Sequence, residues 1–558
     1  MERNFEVLMM AQGCHDGMGR FRRERLRNKR YNYGDQWSDG ITVDGRRMSE
    51  AEHISENGSE PLKNNLIRRL VRNVIGVYSA QSNAPKCTVR DPREKVLGET
   101  MTTLLKYNGE LNRLSALYAR TLEEFLVSGL AIHRKWYGKR GGRTDCWTEM
   151  VAADNFFVDR GMQDVRGWDC GLIGEIHDVS IDDVCMQFGR TAEDCDALRE
   201  IYKQASSREG ISQAWEDFGY DRSCSMDFLS AGRPGMCRVI EAWRRETEGY
   251  YLCHDEKLGA AYRVSREEHA QLDKDGVTSR WVMEEKWRYY FLSPLGHVLA
   301  CGDTPYSHGG HPYAMKAYPM IDGEIHSFVG DVIDQQRYTN RLVTLYDWML
   351  RASAKGVLLL PEDCIPEGGS AQEMVDAWSR HNGVMVYASS LRGDTPRQAQ
   401  GSVDAAGVTK LLETQLKFFE DISGVNGALQ GNLANSAMSA ELYGQQTHQA
   451  SMALLDVLNT FGEFVRDAAY LDVRNMQQFY DREKVESITG ARGVDFPYDA
   501  ERVRNVEFDL SISSGIATLA TRQSNNALLM EIWRSGQITL EEMLRAGDFP
   551  FADALKRG

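Results

Sequence analysis

Two long helical periods enclose a segment without charge between residues 404 and 480, and few folds accommodate that arrangement. Over residues 404–422, at about 100° per residue, Val408, Leu411, Leu412, Gln415, Phe418, Phe419 and Ile422 share one arc. Lys410, Glu413, Lys417 and Glu420 share the opposite arc, alternating in sign at spacings that favour pairing along the helix. Residues 423–440 then read SGVNGALQGNLANSAMSA, eighteen positions without a charged side chain. In a chain with 26% charged residues, about five would be expected there. Gly424, Gly427 and Gly431 admit positive φ, and Asn426, Asn432 and Asn435 bond readily to their own backbone in turns. The longest periodic run follows, over residues 438–480, with Leu454, Val457, Leu458, Phe461, Phe464, Val465, Ala468, Leu471 and Met476 at helical spacing. As one helix it would reach roughly 65 Å, and Gly444 and Gly462 are its expected bends. The neutral segment reads either as a surface connection between helices or as a loop that touches a highly charged partner without gripping it.

The chain has 558 residues and 42% hydrophobic content, enough for several packed domains or one elongated subunit. Its net charge of −15 argues against tight nucleic-acid binding by bulk neutralisation of phosphate. An acidic surface that repels a passing polyanion is compatible with it. Eleven cysteines, an odd number with no CxxC pair, fit reduced thiols in an intracellular compartment. No apolar run approaches the roughly 20 residues of a membrane span.

The first 30 residues are expected to be helical and end in a basic cluster: Arg20, Arg22, Arg23, Arg25, Arg27, Lys29 and Arg30 against Glu24. It reads as a contact for an acidic partner or nucleic acid, or as a face that pairs with the acidic bulk of the protein. Residues 31–37 form an aromatic turn, and Pro61 suits the first position of a helix carrying Leu66, Ile67, Leu70, Val71, Val74, Ile75 and Tyr78. Helices are expected over 93–127, strands over 128–177, helices near 180–188 and 193–206, and strands over 236–247, 249–263 and 281–300. Residues 330–353 form a helix with Val332, Ile333, Leu342, Val343, Tyr346, Met349 and Leu350 on its apolar side. A small excursion follows: a strand at 357–360, a helix at 371–379, a strand at 383–388, and a polar loop with Arg392, Pro396 and Arg397. A strand at 503–512 and helices near 519–534 and 539–546 close the chain.

No active-site constellation emerges. GxxxxGK[ST] is absent; the lone Gly138–Lys139 pair has His133 where the first glycine belongs. GxSxG, HExxH and the EF-hand loop are absent too. His308 and His311 flank two glycines before Pro312, a pattern that suits a plain loop better than zinc.

The order of segments in the second half resembles the portal (head–tail connector) proteins of tailed bacteriophages. The resembling stretches, in order, are YNYGDQW after an arginine-rich helix, LIRRLVRNVIG after Asn65, DNFFVD, GDVIDQQRYTNRL, and DISGVNGALQGNLANSAMSA. The resemblance implies an α+β, elongated subunit. It would have a mixed α/β wing at 1–324, stem helices at 325–355 and 403–422, a small α/β clip at 356–402 and a tunnel loop at 423–437. A long bent wing helix with returning strands would span 438–513, and a short helical crown 514–558. It implies a structural, non-enzymatic role in a homo-oligomeric ring, commonly of twelve subunits, at one capsid vertex of the virion, assembled in the host cytoplasm. Double-stranded DNA would pass through during packaging and ejection. Partners would be a packaging ATPase (terminase large subunit), a head–tail adaptor, and the major capsid and scaffold proteins; no cofactor, metal or membrane is implied. Asn426, Gln430, Asn432 and Asn435 would face DNA, Lys410, Glu413, Lys417 and Glu420 would form lumen rings, and Arg392 and Arg397 would meet motor or adaptor. The competing readings are a nuclease or packaging ATPase, and an adaptor or scaffold without a DNA lumen.

Overall fold

The structure is a computed structural model. It describes residues 2–56, 60–79, 84–90, 94–216, 227–255, 260–271, 277–355, 357–361, 364–366, 368–379, 387–388, 395–399, 405–425, 454–490, 499–504, 506–512 and 519–547. The chain divides into two compact units. The first comprises residues 1–29, 69–331 and 424–558; the second comprises 30–68 and 332–423. The architecture mixes helices with antiparallel sheets.

In the first unit, a six-stranded sheet takes the order Val298–Asp303, Val277–Leu292, Cys237–Asp255, Leu172–Val179, Phe156–Val158, with Ala260–Val264 pairing on Cys237–Asp255. Successive strand residues point to opposite faces, and both faces hold buried residues: Ile176, Ile240, Ala242 and Leu292 on one and Phe156 and Ile173 on the other join a core with Val7, Leu8 and Ala11 of the helix Phe5–Gly17. The sequence pattern places a break at residue 248, but one strand runs through Gly249 as far as Asp255. The Trp281 ring lies where a Cβ on Gly249 would sit, 2.1 Å away. The missing side chain makes room for an aromatic from the facing strand rather than for a turn.

A three-stranded sheet, Tyr313–Ala317, Leu130–Arg140, Arg143–Met150, carries the helix Leu455–Phe479 on its first two strands. That helix buries Leu458, Phe461, Phe464, Val465, Ala468 and Met476, as its 3–4 spacing predicts. It continues through Gly462 as one helix; residues 438–453, with Gly444, lie outside the described residues. Lys135 and Asp472 form an ion pair in this layer, 0% and 1% exposed, and the Lys135 ammonium also donates to Thr148 Oγ1 at 2.9 Å. Residues 503–512 are not one strand. Val503 is buried in the helix Ala500–Arg504, and only Phe508–Ile512 pairs, with Pro85–Val89.

Polar networks of the first unit use groups that look free in the sequence. Glu241 is fully buried. It accepts from His177 Nε2 at 2.8 Å and Trp243 Nε1 at 2.8 Å, and pairs with Arg134 at 3.0 Å. Burial pushes this carboxyl up, but Arg134 and His177, with the Trp243 donor, reverse the effect and hold it at about 2. His308 and His311 are half-buried loop residues: His308 Nδ1 accepts from Gly310 N and His311 Nδ1 from Tyr313 N. Burial, chiefly, brings them down to about 4 and about 3.

Candidate nucleic-acid interface

The second unit is built on the helix Ile333–Lys355, which follows a 3-10 turn at Gly330–Val332. Its buried face is more polar than the sequence pattern suggests. Gln336, Thr339, Asn340 and Thr344 are buried, whereas Leu350, placed on the apolar side from spacing, is 46% exposed. Gln336, Asn340 and Thr344 recur every four residues, one above another on a helix. Together they bind the extended segment 60–65. Gln336 Oε1 accepts from Leu66 N at 2.9 Å and Ile67 N at 3.3 Å, and its Nε2 donates to Asn64 O at 2.8 Å. Asn340 Oδ1 accepts from Asn64 N at 3.2 Å, and Thr344 Oγ1 from Leu62 N at 3.1 Å. The three side chains replace a neighbouring strand as partners for buried backbone groups.

This ladder explains why Pro61 does not open a helix. The next helix starts at Leu66, where Asn65 Oδ1 accepts from Arg68 N at 2.9 Å as an N-cap. Arg337 and Arg341, one turn apart, both donate to Glu50 Oε1. Burial would lower the Arg337 guanidinium, but Glu50 and Asp39 with Tyr31 raise it and keep it charged. Arg30 pairs with Asp39 at 3.1 Å.

The return helix, Ala405–Ser423, packs against Ile333–Lys355. Its predicted apolar arc is divided. Gln415 and Phe419 are buried, while Leu411, Phe418 and Ile422 are 38%, 46% and 49% exposed. On Ile333–Lys355, Leu345 and Trp348 are open as well, at 44% and 52%. Lys410, Glu413 and Lys417 are exposed and Glu420 is half-buried. Among the described residues none of the four forms an ion pair, so the pairing along the helix expected from their spacing is absent. Exposed lysine–glutamate pairs gain little against side-chain entropy.

The helix ends at Ser423, and Gly424 follows with φ +66°, the left-handed residue that commonly closes a helix. Asn426, Gln430, Asn432 and Asn435 lie outside the described residues. In the excursion, the helix Ala371–Ser379 falls where the sequence puts it, with a capping box between Ser370 and Glu373. Val357–Leu359 pairs with Arg397–Ala399. Arg397 is therefore an exposed strand residue rather than part of a loop. Arg392 and most of the strand expected at 383–388 lie outside the described residues.

Three members of the basic cluster near the N-terminus, Arg20, Arg25 and Arg30, are committed to the chain's own acids. Within the first unit, Arg25 is 6% exposed and binds Glu124 and Asp154, and Arg20 pairs with Glu24 at 2.9 Å and Glu324 at 2.8 Å. Arg22 is also 6% exposed and donates to His15 O. Arg20, Arg23 and Lys29 are the exposed members. Sequence reasoning offers pairing with the chain's own acids as one of two readings of this cluster, but it missed the Gln336 ladder; only the i, i+4, i+8 spacing of Gln336, Asn340 and Thr344 signalled the latter.

Among the described residues no group of three or more His, Cys, Asp or Glu is placed to hold a metal ion, and no helix is long and apolar enough to cross a membrane. No curated protein matches the chain. The family described as Phage P22-like portal protein matches it over residues 10–557. The chain therefore belongs to the P22-like phage portal protein family.

Proposed function

We propose that this portal protein closes into a ring, of twelve subunits by the family resemblance, whose channel carries double-stranded DNA into and out of the capsid at one vertex. The observation that carries this reading is the pair of helices in the second unit. Six large apolar residues on them, Leu345, Trp348, Leu350, Leu411, Phe418 and Ile422, are at least 38% exposed. A lone soluble chain gains nothing from such residues, whereas the neighbouring subunits of a ring would cover them. In this reading the helices Ile333–Lys355 and Ala405–Ser423 are the stem, residues 356–402 the clip, and 423–437 the tunnel loop.

The charge pattern supports passage rather than tight binding. Duplex DNA carries one charge per roughly 1.7 Å, and each lysine or arginine contact deepens binding by releasing counterions. A conduit works best without such wells. The uncharged run holding Asn426, Gln430, Asn432 and Asn435 offers amides that exchange hydrogen bonds with phosphates at little cost. Lys410 and Lys417 would set basic rings partly cancelled by Glu413 and Glu420. Arg397, exposed on its strand, and Arg392 would meet the packaging ATPase or the head–tail adaptor. Capsid and scaffold proteins would surround the ring, which would be assembled in the host cytoplasm and retained in the virion.

Negative-stain images of the purified protein test ring closure: a ring with a central hole is expected, and a lone subunit under all assembly conditions overturns the proposal. Asn432→Lys tests the loop and is expected to slow or stall DNA packaging. Packaging at the unmodified rate would remove this loop from the channel.

A further inference from the structure

Cys185 and Cys195 face each other across a turn. Cys185 belongs to the helix Ile181–Phe188 and Cys195 to the helix Ala192–Glu216. Each sulfur contacts the other residue's backbone: Cys185 Sγ lies 3.8 Å from Cys195 O, and Cys195 Sγ lies 3.9 Å from Cys185 O. This reciprocal arrangement brings both thiols into one space. Gly189 makes it possible, since a Cβ there would stand 2.5 Å from Cys195 Sγ and 2.7 Å from Cys185 O. The two helices pack on the sheet through Val184, Leu198, Tyr202, Val239 and Leu299. Both cysteines are unbridged in the structure; Cys195 is half-buried and Cys185 buried.

We propose that Cys185 and Cys195 form an oxidation site, joined by a small-molecule disulfide into an intramolecular bridge that ties the two helices together. Cys195, the more accessible sulfur, attacks the disulfide of oxidised glutathione as its thiolate. A mixed disulfide forms on Cys195 and one glutathione thiolate leaves. Cys185 then attacks the Cys195 sulfur, the protein bridge forms, and the second glutathione thiolate departs. Two protein thiols are oxidised, one glutathione disulfide is reduced to two thiols, and the two cysteine protons end on the departing glutathiones. Burial, then the neighbouring Cys195, raises the Cys185 thiol, which suits it to the second, intramolecular step rather than the first.

A virion component is made in a reducing cell and carried into an oxidising medium, so the bridge would close after release. That timing rests on the virion location proposed above; the chemistry of the pair does not. The test uses the full-length protein treated with oxidised glutathione, denatured, alkylated and mapped as peptides by mass spectrometry. The expected result is loss of two of the eleven alkylatable thiols as one peptide joining Cys185 to Cys195. Cys185→Ser should leave Cys195 carrying a stable glutathione adduct, and Cys195→Ser should slow modification of Cys185 several-fold. Full alkylation of both thiols, a separate glutathione on each, or a bridge from either to Cys237 of the same apolar cluster would overturn the assignment. Bridging in a protein that forms no ring would leave the pair standing and remove only the ring reading.

Discussion

Replacing Trp348 and Phe418 by glutamate is expected to abolish ring closure while leaving the subunit folded. Trp348 is 52% exposed and Phe418 46%. Aromatic side chains bury on the order of 150–250 Å² when fully covered, so covering the open half of each removes about 100 Å² from water. At about 25 cal/mol per Å², this contributes about 2.5 kcal/mol per residue to each subunit contact, roughly 70-fold in the association constant. The glutamates add the cost of stripping water from a carboxylate. Mass photometry over a dilution series reads the outcome: the double variant should remain a single subunit at concentrations where the unmodified chain forms rings. Because both positions are open in the lone chain, the far-ultraviolet circular dichroism melt of the subunit should hardly move. Rings formed at the unmodified concentration would refute the argument that these residues meet a neighbour.

Three further expectations follow from buried groups. The folded Glu241 carboxyl sits at about 2 against an ordinary 4.5. Its contribution, about 3 kcal/mol, is therefore present above the unfolded value and lost as pH falls from about 4.5 towards 2. Glu241→Gln should lower the neutral-pH melting temperature and flatten that acid limb; an unchanged limb would refute the assignment. Asp472→Asn strands Lys135, which is 0% exposed, and should cost about 3–5 kcal/mol in urea unfolding, whereas Lys135→Met with Asp472→Leu should recover most of it. Gln336→Leu leaves the Leu66 and Ile67 amides without their acceptor and should cost about 1–3 kcal/mol, with faster amide exchange confined to residues 62–67; exchange unchanged there would refute the ladder's role.

Several helix positions were legible from local signals. The helices Leu519–Arg534, Leu540–Ala546 and Ala371–Ser379 fall within a residue or two of their predicted bounds. Periods and caps are local, carried by residues three and four apart, so the sequence determines them by itself. Whether an apolar residue is covered is not local. Phe418 and Phe419 are neighbours on the predicted arc, yet one is 46% exposed and the other 6%, because Ile333–Lys355 covers only part of the return helix. Likewise the acids that bind Arg25 lie 99 and 129 residues away in the chain, and no spacing rule connects them to it. The sequence alone determined the positions of several helices, the net acidity and the uncharged run. The tertiary structure alone decided which face finds a partner within the chain and which charges are neutralised, because burial and ion pairing depend on what folds alongside, at distances in sequence over which periodicity carries no information.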